Sequence, residues 1–357
     1  ASGAAITGTM VRGTKLKIIV SVASGAVVTA TKGSLSISGT SVNNSCTLIV
    51  PEAGTWSVKA TLGGEMSDTK NVTFTDRYAV TLSFVSAVLN DNDWATIKKI
   101  SDKGEGANYW SVGDRKAVTV NGTVGTLAVN GTYYAYIIGF NHNSSKEGNG
   151  ITFGTFKTAL SGGTDICLVD GKYNSHSTDG TKYFNMNHSS NTNAGGWKGC
   201  DLRYDVLGST NTNDGDATAT TATNPVANTL MAALPSDLRA VMQPMTIYTD
   251  NTGGGIDNAS YVTKTIDYLP LLAEYEIFGT RTYANSAEKN YQAQYAYYSA
   301  GNSKVKYCHS ATGSTAWWWE RSPRHDYNQY FCFVTMNGTA GISNARFSDG
   351  VAPAFRV

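Results

Sequence analysis

The sequence predicts a small all-β sandwich over residues 1–76, followed by a larger α+β domain over residues 77–357. Three observations predict this. Only 15% of the chain is charged, and 37 Gly with abundant Ser, Thr and Asn carry most of its polarity. Gly and Asn supply the positive-φ positions of tight turns, so this composition suits short strands joined by many turns. In the N-terminal segment apolar and polar residues alternate, with Gly or Pro at roughly the 8–12-residue spacing of sandwich turns. Beyond it, helix start and stop signals stand among strand signals and a Tyr- and Trp-rich tail, the mixture expected of an α+β domain.

In the first segment Thr14–Val22 (TKLKIIVSV) partly alternates, Cys46–Gly64 holds two strands around the Pro51–Gly54 turn, and Ser67–Phe74 closes the sandwich. No group of residues there carries chemistry, which makes the segment a spacer. The second segment opens with an alternating strand, Tyr78–Phe84. Asn92 or Asp93 can cap a short helix that places Trp94, Ile97 and Ile100 on one face and stops at Gly104. In Tyr133–Ile138 both alternating sets are bulky, which predicts a strand buried on both faces. A polar stretch, Asn141–Asn224, is broken by ordered islands at Ile151–Val169 and Trp197–Leu207. Asn224–Pro225 then predicts a helix through Leu230, Met231 and Leu234, restarted at Pro235.

Several function classes lose support. The net charge is +1 without a basic stripe, so the phosphate contacts of a nucleic-acid binder are missing. No apolar run reaches the roughly 18–20 residues of a membrane span. The N-terminal stretch lacks an apolar signal core, so export by a leader is expected only if one has been removed. Five widely spaced cysteines without a CxxC pair argue against zinc-ribbon and thioredoxin chemistry. They are expected as buried free thiols, with a Cys308–Cys332 disulfide as the alternative. The histidines (His142, His176, His188, His309, His325) never form HxH or HExxH. Asp214–Gly215–Asp216 and Asp250–Asn251 offer hard oxygens for calcium but lack the spacing of an EF-hand loop. No metal and no cofactor is expected.

The C-terminal segment AWWWERSPRHDYNQYFCFVTMNGTAGISNARFSDGVAPAFRV is the most informative. Trp317, Trp318, Trp319, Glu320 and Arg321 read as scaffold, with Glu320–Arg321 an ion pair bracing the loops; GVAPAFRV closes the framework. Between them framework-like residues alternate with a miscellany of side chains. Catalysis needs a few titratable groups in fixed geometry, whereas unrelated side chains on a regular scaffold describe a recognition surface. The chain is therefore expected not to be an enzyme. The candidate ligand-binding positions are Arg324, His325, Asp326, Tyr327, Asn328, Tyr330, Phe333, Thr335, Thr339, Gly341, Ile342, Ser343, Asn344, Arg346, Phe347 and Asp349. Tyr, Phe and Arg give contact area with few torsions to freeze, and Ser, Asn and Thr give adaptable hydrogen bonds. Arg324 with Tyr327 or Tyr330, and Arg346 with Phe347, are the expected anchors.

Several long strings, among them NYWSVGD, YYAYIIGFNHN, GGWKGCDLRYDVLGST, NPVANTLMAALPSDLRAVM, WWWERSP and GVAPAFRV, resemble a domain family common in gut bacteria and their phages. Such domains are similar to the C-type-lectin-like variable proteins that retroelements diversify, a phage tropism determinant among them. VPEAGTWSVKATLGG in turn resembles the immunoglobulin-like and prealbumin-like spacer modules of secreted bacterial and phage tail proteins. The resemblance implies an Ig-like spacer (1–76), a C-type-lectin-like domain (77–357), and a variable face that binds a protein or glycan on a target bacterium. It implies a place on a virion or a bacterial surface; a homo-oligomer is a further expectation, because weak sites gain from display in copies. In those proteins adenines of AAY codons are mutagenised. Such codons yield many residue types but never Trp, Lys, Glu, Gln or Met, and between Arg324 and Asp349 only Gln329 and Met336 are of an excluded type. The alternatives are a fixed-specificity surface lectin and a formylglycine-generating-type oxidase using Cys308 and Cys332.

Overall fold

The computed structural model describes residues 4–9, 16–74, 78–82, 84–125, 127–170, 184–309 and 312–357. It is rich in β-sheet and has few, short helices. The chain divides into two compact units, Ala1–Asn92 and Asp93–Val357. The expected border at 76/77 lies outside the described residues. The strand Tyr78–Leu82, read from sequence as the start of the second segment, is hydrogen-bonded antiparallel to Ala4–Thr9 in the first unit.

The first unit has two antiparallel sheets sharing one core. Ile18, Val20, Leu48 and Val50 come from one sheet, and Val28, Ala30, Trp56, Val58 and Val72 from the other. The alternation seen in sequence is the cause. In Ser45–Val50 every second residue is buried (Cys46, Leu48, Val50) while Ser45, Thr47 and Ile49 face out.

In the second unit the helix Trp94–Asp102 forms as its signals require. Asp93 caps it by accepting the Thr96 N–H at 2.6 Å, Trp94, Ile97 and Ile100 are buried, and Gly104 takes φ +71° two residues beyond its end. The Tyr-rich strand Leu127–Phe140 lies inside a seven-stranded sheet, between Arg115–Val124 and Ile151–Lys157, and is buried on both faces from Ala135 to Gly139. The C-terminal strand Phe355–Arg356 joins the same sheet against Thr152 and Phe153. The helix expected from Pro225 does not form there. Asn228 turns the chain at φ +60°, and Thr229 instead caps a helix at Leu230–Ala233, accepting the Ala232 N–H. The restart at Pro235 is present as Ser236–Arg239.

A three-stranded antiparallel sheet, Trp318–Pro323, Tyr330–Val334 and Ala340–Asn344, carries the C-terminal segment. One core cluster ties it to the large sheet: Tyr136 and Ile138 from the central strand pack with Tyr297, Tyr298, Trp318 and Val334. Tyr136 and Tyr297 rings lie 4.7 Å apart, and Tyr297 meets Tyr298 edge-on at 5.3 Å. Each buried aromatic removes about 150–250 Å² from water, so this cluster is a large share of what fixes the sheet. The five cysteines are free thiols; no Cys308–Cys332 disulfide forms. Among the described residues no helix is long and apolar enough to cross a membrane.

Candidate functional site

The scaffold residues divide by side. Trp318 and Trp319 are fully buried and donate their indole N–H groups to the carbonyls of Lys304 and Phe184, each at 2.9 Å. Trp317 stands 46% exposed, its ring edge-on to Phe333. The expected Glu320–Arg321 ion pair does not form, because neighbours on a strand point to opposite faces. Arg321 instead reaches Glu276 with both terminal nitrogens at 2.6 Å, and also donates to Thr249 Oγ1 and the Leu271 carbonyl. Glu320 is buried with neither carboxyl oxygen hydrogen-bonded. Burial pushes its carboxyl far above the usual range, helped by the charges of Glu274 and Glu288 and opposed by Arg321.

The candidate binding positions fall on a loop and a hairpin. Residues 324–330 loop between the first two strands; Tyr330 then pairs with Asn344, Cys332 with Ile342 and Phe333 with Gly341. Asp326, Tyr327, Asn328, Thr339 and Phe347 are exposed, and Arg324, His325, Tyr330, Thr335, Gly341, Ile342, Asn344 and Arg346 are half-buried. Phe333, Ser343 and Asp349 do not face solvent as expected: they are buried. The strand Tyr330–Val334 has neighbours on both edges and packing on both faces beyond Tyr330, so alternation no longer separates inside from outside.

Arg324 is the centre of the exposed loop. Its guanidinium sits 5.7–5.8 Å from the rings of Tyr283, Tyr327 and Tyr330, while Tyr327 and Tyr330 stack at 5.0 Å. A hydrogen bond with Asp326 holds the Arg324 guanidinium above its ordinary pKa and the Asp326 carboxyl below its own. The Arg324–Tyr327–Tyr330 grouping thus contains both tyrosines the sequence nominated, plus Tyr283.

What fixes this loop is a residue the sequence reading passed over. Asn193 is fully buried, and its amide nitrogen donates to the carbonyls of Arg324, Tyr327 and Tyr330 at 3.2, 2.9 and 2.8 Å. Its backbone N–H donates to the Asn328 carbonyl, and its own carbonyl side chain accepts the Gly254 N–H. Gly253 and Gly255, at φ +62° and +75°, allow the close approach: a Cβ on Gly253 would lie 1.9 Å from the Asn193 carbonyl oxygen, and one on Gly255 would strike the Tyr327–Asn328 backbone. Farther along, Asn187 N–H bonds the Ala345 carbonyl, Asn185 the Arg346 carbonyl, and Asp349 N–H the Phe184 carbonyl. The Asn-rich segment is therefore a clamp on the backbone of the C-terminal segment. The available signal was Asn beside Gly-Gly in NTNAGG, together with TGGG at 252–255. Asp250, raised in sequence as a calcium ligand, spends its oxygens on the Thr252 and Gly253 N–H groups and the Asn285 amide.

A family model described as "Domain of unknown function (DUF6273)" matches residues 174–357. The chain belongs to that family. No curated protein and no solved structure matches the chain. The DUF6273 match takes in both the Asn-rich clamp and the C-terminal sheet, so the two halves of the site lie within one family unit. Part of the large sheet, Arg115–Lys157, precedes the DUF6273 match, yet the last strand of the DUF6273 region completes that sheet.

Proposed function

We propose that residues 324–349 form a ligand-recognition face on a C-type-lectin-like domain, and that the protein is a non-enzymatic receptor-binding adhesin whose face is diversified by a retroelement. On this reading the first unit is an immunoglobulin-like or prealbumin-like spacer, the setting is a phage tail or virion tip, and the partner is a protein or glycan on a target bacterium. One observation carries the reading: Asn193 holds the loop through the main-chain carbonyls of Arg324, Tyr327 and Tyr330. Every residue type has that carbonyl, so the side chains can be exchanged while the clamp remains. The exposed Arg–Tyr cluster supports the same reading, since Tyr and Arg dominate binding hot spots and single anchors supply about 1–3 kcal/mol. Useful affinity then draws on several anchors, or on display in copies.

A fixed-specificity bacterial surface lectin is the second reading, favoured by the exposed rings of Trp317 and Tyr327, which suit stacking on a sugar. The oxidase alternative has little to recommend it. Cys332 is fully buried, and burial raises its thiol well above the ordinary range, the reverse of a reactive thiolate. Sequencing natural alleles tests the proposal. Substitutions confined to the nominated codons are expected. Changes spread evenly over the domain would overturn it, and an invariant face with EDTA-sensitive sugar binding would favour the lectin.

A further inference from the structure

Beside the candidate face lies a cavity of about 240 Å³ lined by Asp170, Cys308, Trp317, Met336, Ser348 and Asp349, among others, with no Lys or Arg among the described residues of its wall. Asp349 and Ser348 are only 6% and 8% exposed, yet Asp349 Oδ2 and Ser348 Oγ have no hydrogen-bond partner. Native interiors rarely leave such groups unsatisfied, and a ligand is one way to complete them. Asp170 adds a second carboxylate, one oxygen of which accepts the His309 N–H. The wall also has apolar members: Trp317 and Met336 are 46% and 41% exposed, and the Trp317 ring is set by its edge-on contact with Phe333.

We propose that this cavity is a subsite for a primary ammonium group on an unbranched apolar stem, such as the end of a lysine side chain on the surface of the protein partner. The ammonium pairs with the Asp349 carboxyl, which turns its unpartnered oxygen toward the cavity beside Ser348, and the methylenes lie along Trp317 and Met336. Among the described residues of the wall, an anionic ligand would meet the Asp349 carboxyl and no cation. A guanidinium gains most from a fork onto both carboxylate oxygens, but Ser343 already hydrogen-bonds the Asp349 carboxyl, which suits a compact point charge better. Trp and Met supply the polarisable wall a cationic chain prefers. The assignment rests on the recognition reading for the source of the lysine, while the cavity chemistry is testable alone. It also divides the site: Trp317 and Met336 are types that mutagenised AAY codons never produce, so the walls are fixed while Asp349, within the exchanged set, decides which stem end is accepted.

The test is calorimetric titration of the whole chain with Nα-acetyl-lysine methylamide and n-butylammonium, beside the uncharged norleucine analogue and glucosamine. Both ammonium compounds are expected to saturate at one site in the millimolar range or tighter, and the norleucine analogue to bind at least about tenfold more weakly. Asp349→Asn and Trp317→Ala are each expected to weaken binding about tenfold. Thermal melts identify any variant that does not fold, and Met336→Ala serves as the reserve. Absence of saturable ammonium binding, equal binding of the norleucine analogue, or indifference to all folded variants would overturn the subsite. Tighter binding of glucosamine would overturn the lysine assignment. The recognition face is judged by a different readout, attachment to target cells, so its failure is distinguishable from that of the cavity.

Discussion

The strand Trp318–Pro323 and the loop at 324–330 adjoin in sequence but are held by opposite means. Every residue of the strand is buried. It is anchored through its side chains: the Trp318 and Trp319 indoles, the Arg321 guanidinium and the Ser322 hydroxyl, which donates to Glu288. The loop is anchored chiefly through its carbonyls, by Asn193, with the His325 ring as one side-chain tie to the Tyr283 carbonyl. Where a side chain is itself the bond, its identity is fixed. Where the bond is to main chain, identity is free for other use.

The sharpest break of that contrast is at Arg321. Replacing it by Met leaves the buried Glu276 carboxylate with the Ala273 N–H but no cation, and removes the Arg321 donor to the Leu271 carbonyl. A buried pair broken on one side typically costs about 3–5 kcal/mol. Urea denaturation is expected to show a loss of that size, and the double variant Arg321→Met with Glu276→Leu to recover much of it. A loss below about 1 kcal/mol would mean that the strand is not held by this pair.

Asn193→Ala comes next. It removes the shared donor to three carbonyls and the acceptor for Gly254, a loss of about 2–3 kcal/mol at ordinary hydrogen-bond values. Hydrogen exchange is expected to rise first in residues 324–330 and the Gly254 region, with the large sheet unaffected. Uniform exchange across the unit would contradict a local clamp.

Glu320 tests the strand from the stabilising side. Its folded carboxyl keeps its proton far above the unfolded range, and Glu288 beside it titrates near about 7 because burial outweighs the donors that favour its charge. As pH rises past the ordinary value of 4.5, the unfolded state releases these protons and the folded state retains them, so stability falls with pH through neutrality. Glu320→Gln removes one such group. The expected result is equal stability at pH 4 and a gain that grows from there toward pH 8 by up to about 1.4 kcal/mol per pH unit, read from paired melts.

Local signals were legible in the sequence and distant partners were not. The Asp93 cap with its Trp94–Ile97–Ile100 face, the alternation of Ser45–Val50 and the doubly buried Tyr136 strand each follow from a few adjacent residues. The helix at Pro225 failed on a local detail, the left-handed turn at Asn228. Arg321 was recognised as scaffold, but Glu276, its partner, is 45 residues away, and a Glu immediately next to it was the misleading choice. Asn193 lies more than 130 residues from the loop it holds and looks like any other Asn in a polar run. The candidate face was legible as a segment. The burial of Phe333, Ser343 and Asp349 within it was not, because that depends on what covers the second side of the hairpin.

The smallest expected effect on stability is at Tyr327, and it decides the most. The ring is 47% exposed, stacked on Tyr330 and beside Arg324, and its tie to the clamp is its carbonyl. Tyr327→Ser keeps that carbonyl. Surface changes away from special features stay within about 0.5 kcal/mol, so the melting curve is expected to hardly move. Attachment to target cells is expected to fall by tenfold or more, since an exposed Tyr at the centre of a paratope carries about 2 kcal/mol. If instead stability fell by more than about 1.5 kcal/mol while attachment persisted, the Arg–Tyr cluster would be a structural brace. The loop would then be held by its side chains like the strand before it, and its residues would not be free to vary.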